Sequence, residues 1–267
     1  MIKNKPLVSI LVANYNNEKF LSRSINSCLK QKYSNLEILV HDDNSSDNSI
    51  EKLNTFKKNP KVKIFYNKSK KQNIAALDAA NSYYKIFKKS KGSIICILDS
   101  DDYFHINKVR RLVQIFNKKK NICFIQNLPK IKKEKKFLKK KNINSCLSFW
   151  PYLAPESCIS FRRDFMINFL KINKPFKKDF KSIWLGFRMG TYAYYCTKQF
   201  FSLNEHLTYY ESLGESKKYT FFGKKWMQRR KDSFEYLKKI VKKRQILNKN
   251  VDYLFTKIFS NIYKLKL

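Results

Sequence analysis

The feature that most limits what this chain can fold into is an alternation, across roughly its first 125 residues, of short apolar runs with segments of helical periodicity. Leu7 to Ala13 (LVSILVA) is apolar except for Ser9, as a strand covered on both faces would be. Glu18 to Lys30 follows, with Phe20, Leu21, Ile25, Cys28 and Leu29 at helical spacing. Leu36 to Val40 reads as a second strand, ending at His41-Asp42-Asp43-Asn44. Ser46 or Asp47 is placed to cap a helix that carries Ile50, Leu53 and Phe56. Val62 to Tyr66 is a third strand, Ala75 to Phe87 a helix, and Ser93 to Leu98 a fourth strand that ends at Asp99. Ile106 to Phe116 is helical and Ile122 to Ile125 strand-like. Strands alternating with helices predict an α/β fold with a mostly parallel sheet and helices on both faces. Ligands of such sheets bind beyond the carboxyl ends of the strands.

Two of those strand ends carry the acids. The chain has 57 Lys+Arg against 20 Asp+Glu, a formal charge of +37, so a carboxylate is the rarer charge by far. Yet Asp42, Asp43 and Asp47 share one loop, and Asp99, Asp101 and Asp102 share another. Grouped carboxylates repel one another unless a cation or a ligand's donors offset the charge. Asp99-x-Asp101-Asp102 at the end of a buried strand offers hard oxygen ligands suited to Mg²⁺ or Mn²⁺, a metal that usually shares a substrate diphosphate. The competing reading is a polar loop whose aspartates cap a helix. The loop at Asp42 reads equally as a turn plus N-cap, or as a place where a carboxylate accepts a hydrogen bond from a pyrimidine N–H.

The rest of the chain is less regular. Lys130 to Lys141 holds eight lysines and one glutamate in twelve residues, a solvated connection or a contact for an anionic surface. Ser157 to Arg162 reads as a strand, Ser182 to Cys196 as a helix and Leu207 to Tyr210 as a short strand. From Lys217 the pattern is helical and basic, and Lys224 to Ile246 carries ten Lys/Arg beside Trp226, Met227, Phe234, Tyr236, Leu237, Ile240 and Val241. Such a helix packs its apolar stripe on its own domain or lies on an anionic membrane. The six cysteines are widely spaced without a C-x-x-C pair, which fits free thiols in a reducing compartment. No apolar run approaches the ~20 residues of a membrane span, and the N-terminal apolar run is too short for a signal peptide. The expected location is cytoplasmic, with peripheral contact at the inner membrane face open.

Four blocks in order resemble the nucleotide-binding half of the family 2 glycosyltransferases, which have the GT-A Rossmann-like fold. They are Val8-Ser9-Ile10-Leu11-Val12-Ala13-Asn14-Tyr15-Asn16, Ser24 to Gln31, Leu36 to Asp47, and Ile97-Leu98-Asp99-Ser100-Asp101-Asp102. Weaker likeness continues to about residue 215, through Cys158 to Arg163 and Leu203 to Tyr210. The resemblance implies a GT-A domain over residues 1–215, with a nucleotide-binding half at 1–127 and an acceptor half at 142–215. A basic helical region follows at 216–267. It implies a transferase of the hexosyltransferase type that moves a sugar, with inversion, from a nucleotide-diphosphate donor such as a UDP-sugar to a glycan or lipid-linked acceptor. Cell-envelope polysaccharide synthesis is the expected setting. Asp43 would then meet the base, with Ala13, Asn14 and Tyr15 beside it. Lys71 and Gln72 would lie near base and phosphate. Asp99, Ser100 and Asp101 would line the donor, and Asp101 and Asp102 would hold Mg²⁺ or Mn²⁺.

The chain also departs from that family. Gly186 stands where the family's general base is expected, within Lys181-Ser182-Ile183-Trp184-Leu185-Gly186-Phe187-Arg188, which leaves Asp179 and Glu156 as candidate catalytic acids. Glu211 and Leu213 occupy the Arg and His positions of the family's Y-R-x-H, and His206 precedes them. Two other readings stay open: a relative that binds nucleotide sugar without turnover, suggested by Gly186, and a nucleic-acid binder, suggested by charge alone. No nucleic-acid motif supports the last, and no nucleic-acid partner is expected.

Overall fold

The protein is described from a computed structural model covering residues 5–68, 74–131, 149–211, 220, 222–241 and 250–262. Strand β1 (Val8–Asn14), helix α1 (Glu18–Leu29), β2 (Leu36–Asp42), α2 (Ser49–Asn54), β3 (Val62–Tyr66), α3 (Ala75–Lys89) and β4 (Ile94–Asp99) follow the expected alternation. Then come β5 (Tyr103–Phe104), α4 (Lys108–Lys118), β6 (Phe124–Ile131), β7 (Ile159–Arg162), α5 (Arg163–Asn173), α6 (Leu185–Thr191) and β8 (Phe200–Tyr210). Helices α7 (Lys224–Ile240) and α8 (Val251–Ile262) complete the described chain.

All eight strands join one sheet in the order β3-β2-β1-β4-β7-β6-β8-β5. β7 runs antiparallel to β4 and β6, and β5 runs antiparallel to β8, while the remaining pairs are parallel. The sheet is therefore mostly parallel, as expected, with two reversed strands that periodicity did not announce. β5 has only two residues, too few to show a period. The expected helix from Ser182 to Cys196 is shorter: α6 ends at Thr191 and passes into a π-helical turn, Tyr192–Thr197. The expected strand from Ser157 begins with a 3-10 turn, Glu156–Cys158, and the Leu207 to Tyr210 strand is the end of the much longer β8.

Alternate residues of the central strands feed two cores, as the two-residue period of a strand requires. Val8, Ile10 and Val12 of β1 pack with Leu21 and Ile25 of α1 and with Val109, Leu112 and Phe116 of α4. Leu11, Leu39, Ile95 and Ile97 face the other way, toward Tyr83 and Phe87 of α3 and Phe165 and Phe169 of α5. Burial on both faces explains why β1, β2 and β4 read as continuous apolar runs. Helix α7 buries Met227, Phe234, Tyr236 and Leu237, with Phe234 and Leu237 against Phe149, Trp150 and Tyr195, so its apolar stripe is covered by the protein itself.

Register then fixes the business edge of the sheet. Asn14 lies opposite Asp42 on β1 and β2, and Ala13 lies opposite Asp99 on β1 and β4. Both acidic loops therefore leave the sheet at one carboxyl edge. Asn16 and Asn44 sit at φ 48° and 62°, the left-handed region that asparagine tolerates better than most residues, and they turn the chain away from β1 and β2 there. Of the basic run, Lys130 and Ile131 finish β6, while 132–141 lie outside the described residues, as does 212–219, where the sequence put the domain boundary.

Candidate functional site

The two neighbouring aspartates at the end of β2 have different surroundings. Asp42 Oδ1 accepts from the Ser45 N–H at 2.9 Å, and its Oδ2 accepts from Ser45 Oγ and Asn14 Nδ2, each at 2.7 Å. Its carboxylate is consumed in bracing the loop. Asp43 is held by its main chain, whose N–H donates to Asn14 O at 2.9 Å, and its Oδ1 accepts from Asn67 Nδ2 at 2.7 Å. Asn14 thus serves as a buried strut through its side chain and carbonyl, Ala13 is half-buried, and Tyr15 is exposed at the rim. Beside them His41 is buried, and burial together with Lys85 lowers its pKa to about 4, so its ring is neutral. Lys71 and Gln72 lie outside the described residues.

At the end of β4 the acids crowd more tightly. Asp99 accepts from Tyr83 Oη at 2.7 Å and donates its own N–H to Ser157 Oγ at 3.0 Å. Ser100 donates its N–H to Ala13 O at 3.1 Å and accepts from Asn17 Nδ2 at 2.9 Å, joining this loop to β1. Asp102 turns back on Asp99 through a 3.0 Å main-chain bond, and its Oδ1 accepts from the Glu211 N–H at 2.9 Å. Its Oδ2 is buried with no hydrogen-bond partner. Asp101 is the half-exposed member of the group. Burial, and then the neighbouring Asp101 charge, raise Asp99 to about 7, and burial with Asp101 and Asp99 pushes Asp102 well above the carboxylate range. Burial raises Asp101 as well. Three adjacent acids that resist ionisation form a site short of positive charge in front.

Among the described residues Arg23 and Lys108 act on the aspartates, and Arg229 acts on the neighbouring Glu156. Arg23 of α1 pairs with Glu211 at 2.6 Å, donates from Nη2 to Asp101 O at 2.7 Å, and lies 4.4 Å over the Tyr103 ring. Lys108 is fully buried at the start of α4. Its Nζ donates to Ser157 O at 2.6 Å and Thr208 Oγ1 at 2.8 Å, 3.8 Å from the Phe104 ring centre, and burial lowers its pKa to about 8. Both cations spend their donors on main-chain carbonyls, a hydroxyl and Glu211 rather than on the Asp101 or Asp102 carboxylates. Sequence reasoning missed both. Lys108 left a signal, since it shares a helix face with Leu112 and Ile115, where a lysine breaks an apolar stripe.

Glu156 belongs to the same group. Its Oε1 accepts from the Gly186 N–H at 2.6 Å, its Oε2 is buried without a partner, and burial followed by the Asp99 charge raises its pKa to about 8. A Cβ placed on Gly186 would come within 2.9 Å of both Glu156 Cγ and Ile159 Cδ1. The glutamate therefore fills the space a side chain at 186 would need. Asp179 is set apart: it is exposed, and its main-chain carbonyl accepts from Arg188 Nη2 at 2.5 Å. His206 is tied to Pro129 O at 3.0 Å. Among the described residues no three His, Cys, Asp or Glu side chains converge as a closed metal site. The unpartnered Asp102 Oδ2 and the accessible Asp101 fit a hard cation that takes most of its ligands from phosphate and water.

Comparison with known proteins bears on the family and the fold. The sequence profile described as Glycosyl transferase family 2 matches residues 9–200. The Escherichia coli UDP-Glc:alpha-D-GlcNAc-diphosphoundecaprenol beta-1,3-glucosyltransferase WfgD is 39% identical over 119 residues, covering 45% of this chain and 44% of that protein. The chain spans less than half the length of the curated relatives it matches. Staphylococcus aureus TarS 1–349 in complex with UDP superposes with a TM-score of 0.65 at 15% identity, over 98% of this chain and 76% of that one. The Pyrobaculum calidifontis mannosyltransferase PcManGT, in complex with GDP-Man and Mn²⁺, superposes with a TM-score of 0.57 at 11% identity, over 97% of this chain and 70% of that one. At those identities the structural likeness speaks for the fold.

Proposed function

The chain belongs to glycosyl transferase family 2, and from that premise we propose that it moves a sugar from a nucleotide-diphosphate donor, a UDP-sugar, to a hydroxyl of a glycan or lipid-linked glycan acceptor, with inversion at the anomeric carbon and with Mg²⁺ or Mn²⁺. The observation that carries this reading is the register that puts Asp43 and the Asp99/Asp101/Asp102 cluster at one carboxyl edge of the sheet. In this reading Asp43 accepts from the base, and Ala13, Tyr15, Ser100 and Asp99 line the donor while Asn14 braces the loop. Asp101 and Asp102 would hold the cation, which would offset the charge that gathers on the departing diphosphate. Support for the donor class comes from relatives, among them the UDP-glucose-using WfgD and TarS in complex with UDP.

Glu156 is the acid we assign to the acceptor proton. It lies in the cluster where Asp179 does not, and a pKa near 8 suits a group that must release and regain a proton near neutrality. Titration calorimetry with UDP and Mn²⁺ tests the donor half of the reading. Asp101→Ala is expected to weaken metal-dependent UDP binding at least tenfold, and unchanged affinity would overturn the metal assignment. A binding protein without turnover is the second reading, favoured by Gly186. It predicts tight UDP-sugar binding with no UDP release above the uncatalysed rate, which a coupled UDP assay on the same protein reads directly.

A further inference from the structure

Helix α8 is assembled inside out. Asp252, Thr256 and Ser260 recur at intervals of four, so they share one helical face, and that polar face is the buried one. Arg230 of α7 accounts for it: the guanidinium pairs with Asp252 and donates from Nε to Thr256 Oγ1 at 3.2 Å, while Phe149 N–H donates to Asp252 Oδ2 at 3.2 Å. Ser260 closes on Thr256 O. With polar groups locked inward, the apolar ones point out. Val251, Leu254, Ile258 and Ile262 are 58%, 43%, 60% and 66% exposed along the opposite face, and Phe222 nearby is 50% exposed. Phe222 sits against Trp226 and Phe255, which joins the aromatic edge of α7 to the α8 face.

Scattered exposed apolar residues are ordinary, but four on one helical face beside an exposed phenylalanine form a patch. Its charge setting selects what covers it. The one acid of α8, Asp252, is buried in its ion pair, while Lys257 on the helix and Lys224 and Lys225 beside Phe222 are exposed. Among the described residues, the exposed charges on α8 and next to Phe222 are thus cations, on a chain of net charge +37. A second copy would bring the same cations against these, and like charges oppose that contact. An anionic bilayer offers the complementary charge at its headgroups and an apolar layer just beneath. No described helix is long and apolar enough to cross a membrane, so the helix would lie in the interface.

We propose that the outward face of α8, with Phe222, is an anionic-lipid docking surface. This assignment rests on the C-terminal helices alone and stands apart from the donor-site reading. It also moves the membrane-facing element from α7, whose apolar stripe is covered, to α8. The test is co-sedimentation of the 267-residue chain with phosphatidylcholine vesicles, with and without phosphatidylglycerol, alongside light scattering to read mass. Binding is expected with the anionic vesicles, and the double variant Leu254→Ser, Ile258→Ser should lower it at least tenfold with UDP affinity and circular dichroism unchanged. Lys257→Glu should lower it severalfold without disturbing the fold. Failure to bind anionic vesicles would overturn the proposal. So would binding indifferent to all three substitutions, or a protein dimer that the serine variant dissolves.

Discussion

Replacing Glu156 with glutamine separates its proton from its shape. The wild-type carboxyl is buried, accepts from the Gly186 N–H at 2.6 Å, and is held from the ordinary 4.5 up to about 8 by burial and by Asp99. An acid raised in the fold keeps its proton longer there than in the unfolded chain. Its favourable contribution is complete below pH 4.5 and is lost as pH rises through about 8. That gap corresponds to on the order of 5 kcal/mol between the two limits. Glutamine retains the acceptor for Gly186 and has no proton to lose, so Glu156→Gln should match the wild type near pH 5. It should then gain stability relative to it, by about 5–10 °C in melting temperature near pH 9. Turnover should move the other way. If Glu156 receives the acceptor proton, UDP release should fall about 10²- to 10⁴-fold with UDP affinity unchanged. A merely structural carboxylate, capping the first turn of α6, would leave turnover within about threefold. A flat melting difference across pH would refute the burial argument, and intact turnover would refute the assignment.

Three further outcomes follow from distances already given. Lys108→Met leaves Ser157 O and Thr208 Oγ1 without their buried charged donor, so urea unfolding should show a loss of about 1.5–3 kcal/mol; a loss below ~1 kcal/mol would show that the lysine is a bystander. Gly186→Ala gains about 1 kcal/mol of helix propensity but drives a methyl into Glu156 Cγ and Ile159 Cδ1, an overpacking cost of about 1–3 kcal/mol. The melting temperature should hold or fall slightly while UDP release drops, and unaltered turnover would mean the glutamate's position does not matter. Adding Mn²⁺ should raise the melting temperature more near pH 8 than near pH 5, since the cation competes with protons for the same carboxylates; an equal rise at both would contradict that competition.

How legible all this was depends on the kind of interaction involved. The four-stranded parallel core could be read because doubly covered strands must be apolar throughout, and LVSILVA or Leu36 to Val40 admits little else. The two reversed strands of the sheet could not be read, since direction is set by pairing partners far away in the chain: Ser160 of β7 pairs with Cys96 of β4 on one side and Ile125 of β6 on the other. The acidic loops were legible as charges out of place in a basic chain. Which aspartate of Asp42-Asp43 is braced was not, because that turns on Ser45 and Asn14 side chains rather than on spacing. Arg23 stayed hidden for the same reason, since nothing among 57 Lys+Arg singles out the one that the fold sets against Glu211, and Lys108 showed only as a break in an apolar stripe.

Gly186 shows why an apparent loss in sequence need not be a loss in chemistry. Viewed along the chain, a carboxylate is missing from α6. In the folded protein Glu156, on the turn before β7, packs against Gly186, and a Cβ at 186 would come within 2.9 Å of its Cγ; in the proposed reading its carboxyl does the work of the missing acid. The two positions are one feature, since glycine at 186 is what gives the glutamate room. Burial and then the Asp99 charge raise the pKa of Glu156, so an ionised Asp99 makes the glutamate harder to ionise. A cation at Asp101 and Asp102 would relieve that coupling from the front, where neither Arg23 nor Lys108 reaches the carboxylates. Loading the donor site would then lower the pKa of Glu156, so that the base becomes competent when there is something to transfer. A pH–rate profile whose acid limb falls below the pH of the stability loss in the metal-free protein would bear this out, and coincidence of the two would exclude it.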